Sequence, residues 1–225
     1  MNVRGLFGNL WKRVKAFSPF MELTSVLLVA GGTIMNFFSK STIHLFINGY
    51  HSEYGDVFFT NATFLGDGVS AAILVVVLLF VNYRFAAMTV VSTISSGVIV
   101  QVLKRTLFAE TVRPYEFFKG VHDLYLVPGI AVYSYNSFPS GHSATIFAVC
   151  AILSLMTRHK FVRVFLFLLA CVIAFSRVYL SQHFFGDVIA GALIGSGLAY
   201  VTAVIFEHLG TVDGSLERSI LSFME

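Results

Sequence analysis

Apolar residues in this chain come in long runs, and polar residues gather between the runs. Six stretches approach the roughly 20 mostly apolar residues that a membrane-crossing helix needs: Leu23 to Phe38, Phe64 to Val81, Phe85 to Leu103, Ser143 to Met156, Val162 to Tyr179 and Asp187 to Phe206. The first and fourth are short and borrow flanking residues to complete a crossing. No stretch alternates with period two, the mark of a barrel strand. The pattern predicts an all-α integral membrane bundle of six transmembrane helices. Ahead of the first run, Leu6, Phe7, Leu10, Trp11, Val14 and Phe17 recur at helical spacing, with Lys12, Arg13 and Lys15 on other faces. This predicts an N-terminal amphipathic helix on the membrane surface.

Composition supports the same class. Of 225 residues, 56% are hydrophobic and 12% charged, against about 25% charged in a soluble domain. The length suits one domain. A net charge of +3 with no long basic stretch argues against nucleic acid as a partner. Cys150 and Cys171 each lie inside an apolar run, where a thiol packs as a small hydrophobe. No Cys/His spacing resembles a zinc or iron site, so neither metal nor cofactor is expected. The first run lacks a small-residue cleavage site and is expected to be a retained anchor.

Basic residues give an expected orientation. One side of the bundle holds Arg4, Lys12, Arg13, Lys15, Arg84, Arg158, Lys160, Arg163 and Arg218; the other holds Lys40, Lys104, Arg105, Arg113, Lys119 and Arg177. The larger set marks the cytoplasm. Both termini are then cytoplasmic, the loop from Lys104 to His142 faces outward, and the expected location is a bacterial inner (cytoplasmic) membrane. Glycines and alanines at 190, 191, 192, 195 and 197 in the last run point to close helix packing.

Ionisable residues beside membrane spans are costly and tend to be functional. Here they collect in three places: Lys104 and Arg105 followed by Arg113-Pro114, Pro139-Ser140-Gly141-His142, and the run from Ser176 to Asp187. An up-and-down bundle brings all three to one face. Several converging cations require an anionic ligand, and the planar fork of arginine suits phosphate oxygens. Ser140 can donate a hydroxyl hydrogen bond, and the Ser140-Gly141-His142 backbone ahead of a helix offers N–H groups, with no side chain on Gly141 to obstruct approach. Asp187 lies four residues after His183, one helical turn on, where its carboxylate can accept from the imidazole N–H. His183 is thus the candidate nucleophile and His142 the candidate acid and base. The remaining histidines, His44, His51, His122, His159 and His208, read as interfacial residues, and Asp67 in Leu65-Gly66-Asp67-Gly68 as a helix-start signal.

These motifs resemble those of the type 2 phosphatidic acid phosphatases, whose site is shared with vanadium haloperoxidases and bacterial acid phosphatases. The family's P-S-G-H stands at Pro139 to His142, and its S-R-x5-H-x3-D at Ser176 to Asp187. The resemblance runs from about the third span to the sixth. It implies a six-helix fold and a metal-independent phosphohistidine mechanism, with Arg113, Ser140, Gly141 and Arg177 binding phosphate and His183, His142 and Asp187 catalytic. The first motif departs from K-x6-R-P: Thr106 stands seven residues before Arg113, with Lys104 and Arg105 nine and eight ahead. Lys104 is the first candidate for that cation by residue type, and Arg105 the second.

The expectation is one membrane phosphatase domain over 1–225, with an interfacial segment at 1–20 and an active-site loop at 104–142. Its partners are the bilayer and a lipid phosphate: a polyprenyl diphosphate, lipid A, phosphatidylglycerol phosphate or phosphatidic acid. Phe117, Phe118, Tyr125, Tyr133 and Tyr135 mark the segment from Tyr115 to Phe138 as a lid dipping towards the membrane. A lipid-to-lipid phosphotransferase fits the same motifs. An intramembrane serine protease built on Ser140 and His183 leaves the arginines without purpose, and a transporter calls for polar residues in the middle of the spans.

Overall fold

A computed structural model describes residues 19–210; the expected amphipathic helix lies outside them. The regular elements among the described residues are all helical, in the order α1 (Phe20–Phe37), α2 (Lys40–Asn48), α3 (Glu53–Ala62), a 3-10 turn (Thr63–Gly66), α4 (Gly68–Val81), α5 (Tyr83–Arg105), α6 (Pro114–Phe118), α7 (Gly141–Leu155), α8 (Lys160–Tyr179) and α9 (Phe185–Gly210). Side-chain caps start several of them. Ser39 accepts from the N–H of Thr42 at 3.1 Å, Ser52 from Gly55 at 3.1 Å, and Asn82 from Arg84 at 3.0 Å, each satisfying a donor that the first helical turn leaves free.

Among the described residues, four helices are long and apolar enough to cross a bilayer: α1, α5, α8 and α9. The expected second span, Phe64 to Val81, is instead the latter part of a bent pair. Helices α3 and α4 meet at the 3-10 turn with a bend of 58°, and together make a fifth candidate span. The expected fourth is the 15-residue α7, about 22 Å of helix at the usual rise, short of the roughly 30 Å hydrocarbon layer. Helices α2 and α3 had no counterpart among the expected spans, because runs of 9 and 10 residues are too short to register as crossings.

Short as it is, α7 forms the centre of the bundle, packed against α5, α8 and α9. Phe147 and Phe167 meet the ring of Phe20 edge-on at 6.3 and 6.0 Å, and Cys150, a free thiol, is buried in the same cluster. Large apolar side chains remain exposed at helical spacing on the outer helices: Val69, Ile73, Val76 and Phe80 on α4, and Val91, Ile94 and Val98 on α5. Water disfavours such stripes and lipid does not. With the apolar spans, they mark an integral membrane protein.

Two of the three glycines expected to pack closely, Gly191 and Gly195, do so at close range, whereas a Cβ at Gly197 would meet nothing within 4 Å. A Cβ at Gly191 would overlap the carbonyl oxygen of Ser140, and one at Gly195 that of Ala144. Helices α7 and α9 therefore touch backbone to backbone. Asp67 takes the N-cap position of α4 in extended conformation, as a helix-start residue should, although its side chain makes no capping hydrogen bond.

Candidate active site

Alternation of the helices places the C-terminal ends of α5 and α8 beside the N-terminal ends of α7 and α9. Lys104 comes from the last turn of α5, Arg177 from the last turn of α8, His142 from the first turn of α7, and Asp187 from the first turn of α9. Arg113 arrives just before α6. Through-space electrostatic interactions link Lys104 with Arg113, Arg177 and Asp187, and link His142 with Arg177, Lys104 and Arg113. The three separated stretches of sequence thus form one cluster at one end of the bundle.

Asp187 organises its centre. Its Oδ2 accepts from Ser137 Oγ, from the N–H of Phe184 at 3.0 Å and from His183 Nδ1 at 3.3 Å. A carboxylate can only accept, so Nδ1 carries the proton and Nε2 is left with its lone pair. His183 is 2% exposed. Burial, opposed by the hydrogen bond to Asp187 and reinforced by Arg113, holds its pKa down to about 3 from 6.5. The backbone of Asp187 also contributes, because its carbonyl accepts from the N–H of Ser140 at 2.9 Å. That bond joins the Pro139–His142 motif directly to the Ser176–Asp187 motif.

Ser140 is fully buried as the N-cap of α7. Its Oγ accepts from the N–H of Ser143 at 3.4 Å and from Ser143 Oγ at 2.9 Å, so its own hydroxyl proton is left to donate. The N–H groups of Gly141 and His142 head the helix, where the intrahelical pattern provides no acceptor. A Cβ on Gly141 would meet only Val100, at 3.8 Å, which leaves room beside these donors.

The two candidates for the first cation separate clearly. Lys104 is 8% exposed, whereas Arg105 is exposed to solvent. Adjacent helical residues point about 100° apart, so one can face the cluster only if the other turns away. The two extra residues ahead of Arg113 are absorbed after the helix end, where the N–H groups of both Leu107 and Phe108 bond to the carbonyl of Leu103, at 3.1 and 2.9 Å. Arg113 is then fixed by three carbonyls. Its backbone N–H donates to Ser134 at 2.8 Å, its Nε to Tyr135 at 3.0 Å and its Nη1 to Gln182 at 3.0 Å, while its guanidinium lies 5.1 Å from the ring centre of Tyr133.

Several neighbours lay beyond sequence reasoning. Ser137 on Asp187, Gln182 on Arg113, and Thr63, whose Oγ1 accepts from Arg177 Nη1 at 2.7 Å, are ordinary polar residues with no spacing signal. Of the histidines read as interfacial, His44 is buried and His51 half-buried. His44, 1% exposed, stacks on Phe118, packs against Phe184 and bonds to Ser181 at 3.2 Å. His51 bonds Asp56 at 2.9 Å within a cluster that includes Tyr125 and Tyr179. The aromatic loop is tied to the site through Arg113 and through Phe117 and Phe118, which pack on Phe184.

Burial lowers the pKa of His44 to about 4 as well. Below about 6.5, unfolded chains bind protons at His44 and His183 that the folded protein excludes until about pH 4 and pH 3 respectively. Stability should therefore be full above pH 6.5 and fall steadily as the pH drops through that window. Thermal unfolding in detergent between pH 4 and 8 should show this slope, and a His44→Gln variant should show a shallower one.

A family model of the PAP2 superfamily matches residues 85–210, more than half of the chain. The chain belongs to the PAP2 superfamily. Among PAP2 relatives, the lipid A 4'-phosphatase of Bacteroides thetaiotaomicron is 29% identical over 67% of this chain and 69% of its own length. The undecaprenyl-diphosphatase of Sulfolobus acidocaldarius is 32% identical over 57% of this chain and 59% of its own. The crystal structure of Aquifex aeolicus LpxE superposes with a TM-score of 0.64 at 28% identity, covering 72% of this chain and 93% of that one. A PAP2-type phosphatidylglycerolphosphate phosphatase from Bacillus subtilis, at 22% identity and a TM-score of 0.63, shares the fold. This PAP2 protein is a phosphoric ester hydrolase, a membrane lipid phosphatase.

Proposed function

We propose that the enzyme hydrolyses the phosphomonoester or diphosphate of a bilayer lipid through a phosphohistidine on His183. The observation that carries this reading is the Asp187 carboxylate on His183 Nδ1, which leaves Nε2 unprotonated beside Lys104 and Arg113. Nε2 attacks the terminal phosphorus as the leaving group, the lipid alkoxide of a phosphomonoester or the lipid monophosphate of a diphosphate, departs with a proton from His142. Lys104, Arg113, Arg177, Ser140 and the N–H groups of Gly141 and His142 stabilise the charge on the transferring phosphoryl group. His142 then takes a proton from water, which attacks the phosphohistidine and releases inorganic phosphate. These cations supply the positive charge without a metal.

In this proposal the whole chain is one domain crossing the inner membrane six times. The bent α3–α4 pair and α7 complete the count, and the site faces the outer side. A phosphorylated lipid A head group and a polyprenyl diphosphate lead the substrates, since the relatives named above act on molecules of these classes and an outward site meets both. The test is phosphate release in mixed micelles from lipid A, undecaprenyl diphosphate, phosphatidylglycerol phosphate and phosphatidic acid, with no acceptor lipid added. We expect release from one of them, blocked by orthovanadate and unaffected by a fluorophosphonate. Turnover that requires an acceptor lipid would instead identify a phosphotransferase.

A further inference from the structure

The break between α3 and α4 lies against the candidate site, where its 3-10 turn packs on α7 and α8. A Cβ on Gly66, the last residue of the 3-10 turn, would come within 3.2 Å of both Cβ and the carbonyl oxygen of His142. At the other end of the turn, Thr63 is buried and holds Nη1 of the buried Arg177. Nε of Arg177 has no protein partner, so this guanidinium is anchored at one nitrogen and retains donors for a ligand. The turn thus touches two of the groups expected to handle phosphate.

Asp67 follows directly and is half-buried. Nothing in its local backbone uses the carboxylate, because the side chain makes no capping hydrogen bond. It acts through space on His142 and on Arg177. The groups around His142 are otherwise cationic: Arg177 from α8, Lys104 from α5, and Arg113 from the loop before α6. On the α9 side, Asp187 is committed to His183, Ser137 and the N–H of Phe184. A histidine that must donate a proton from among three cations needs a negative neighbour to keep that proton.

We propose that Asp67 is a positioning residue for catalysis, a counter-charge that offsets the cations around His142 and favours its proton as the leaving group departs, and that Thr63 sets the orientation of Arg177. The site then contains two histidine–carboxylate relationships: a hydrogen-bonded one that deprotonates the nucleophile's free nitrogen, and a looser one that favours the acid's proton. This rests on the assignment of His142 as the acid, so the experiment includes a His142→Gln control.

The measurement is kcat and KM from pH 5 to 9 on purified protein, using whichever of the four panel lipids the wild type hydrolyses fastest. Asn and Ser both cap helices well, so Asp67→Asn and Asp67→Ser retain the helix start and remove the charge. Both should move the alkaline limb of kcat down by about one pH unit and lower kcat at pH 8 about tenfold. KM should stay near the wild-type value, and Asp67→Glu should restore the profile. Thr63→Val should weaken orthovanadate inhibition about tenfold, with Thr63→Ser restoring it. Wild-type profiles for both uncharged Asp67 variants, with His142→Gln inactive, overturn the inference and leave the phosphohistidine proposal standing. A fully active His142→Gln variant overturns both.

Discussion

A His183→Ala enzyme should lose roughly four orders of magnitude or more in kcat, the scale seen when a covalent nucleophile is removed. No other described side chain in the cluster hydrogen-bonds an imidazole to a carboxylate, so nothing there can substitute. Rapid quenching of the wild type with labelled lipid should trap an acid-labile, base-stable phosphoprotein, and the variant should trap none. A phosphoenzyme of undiminished yield in His183→Ala would remove the covalent role. Asp187→Asn tests the orienter separately. The amide can donate where the carboxylate could only accept, so the imidazole can present the wrong tautomer, and a loss approaching that of His183→Ala is expected. Its three-donor environment at Oδ2 is built for a carboxylate.

The second large effect separates two neighbours. Lys104→Ala should cost roughly a hundredfold or more in kcat/KM, as expected for a donor aimed at developing phosphoryl charge. Arg105→Ala should stay within about threefold, because an exposed charge contributes little. A buried ammonium among two guanidiniums is tolerable when an anion joins them, so the loss should appear equally as weaker orthovanadate inhibition. Reversed results for the two variants would mean that the end of α5 turns the other way around its axis.

What could be read from the chain beforehand follows a physical division. The His183–Asp187 pairing is a one-turn spacing, and a local rule recovers it. The convergence of Lys104, His142 and Arg177 follows from the alternation of spans, which hydropathy records. The bend at the 3-10 turn is different. Its partner helix α3 carries Glu53, Asp56 and Asn61 and so falls outside any apolar run, while Leu65-Gly66-Asp67-Gly68 signals a helix start without revealing the helix before it. The contact between Thr63 and Arg177 joins residues 114 positions apart, a distance over which one threonine looks like any other. His44 and His51 were legible as histidines near a membrane surface, but the burial of His44 against Phe118 and Phe184 and the packing of half-buried His51 on Tyr125 and Tyr179 depend on neighbours that tertiary packing brings to them.

The backbone contact between α7 and α9 has a mechanical consequence. With Gly191 and Gly195 seated on the carbonyls of Ser140 and Ala144, and the N–H of Ser140 bonded to the carbonyl of Asp187, the helix bearing His142 and the helix that follows His183 behave as one rigid body. The gap between His183 and His142 should therefore be set by the chain itself rather than by bilayer thickness or lateral pressure. Adaptation to a lipid head group has to occur on the facing wall, where Arg113 hangs from loop carbonyls and Arg177 from a single threonine.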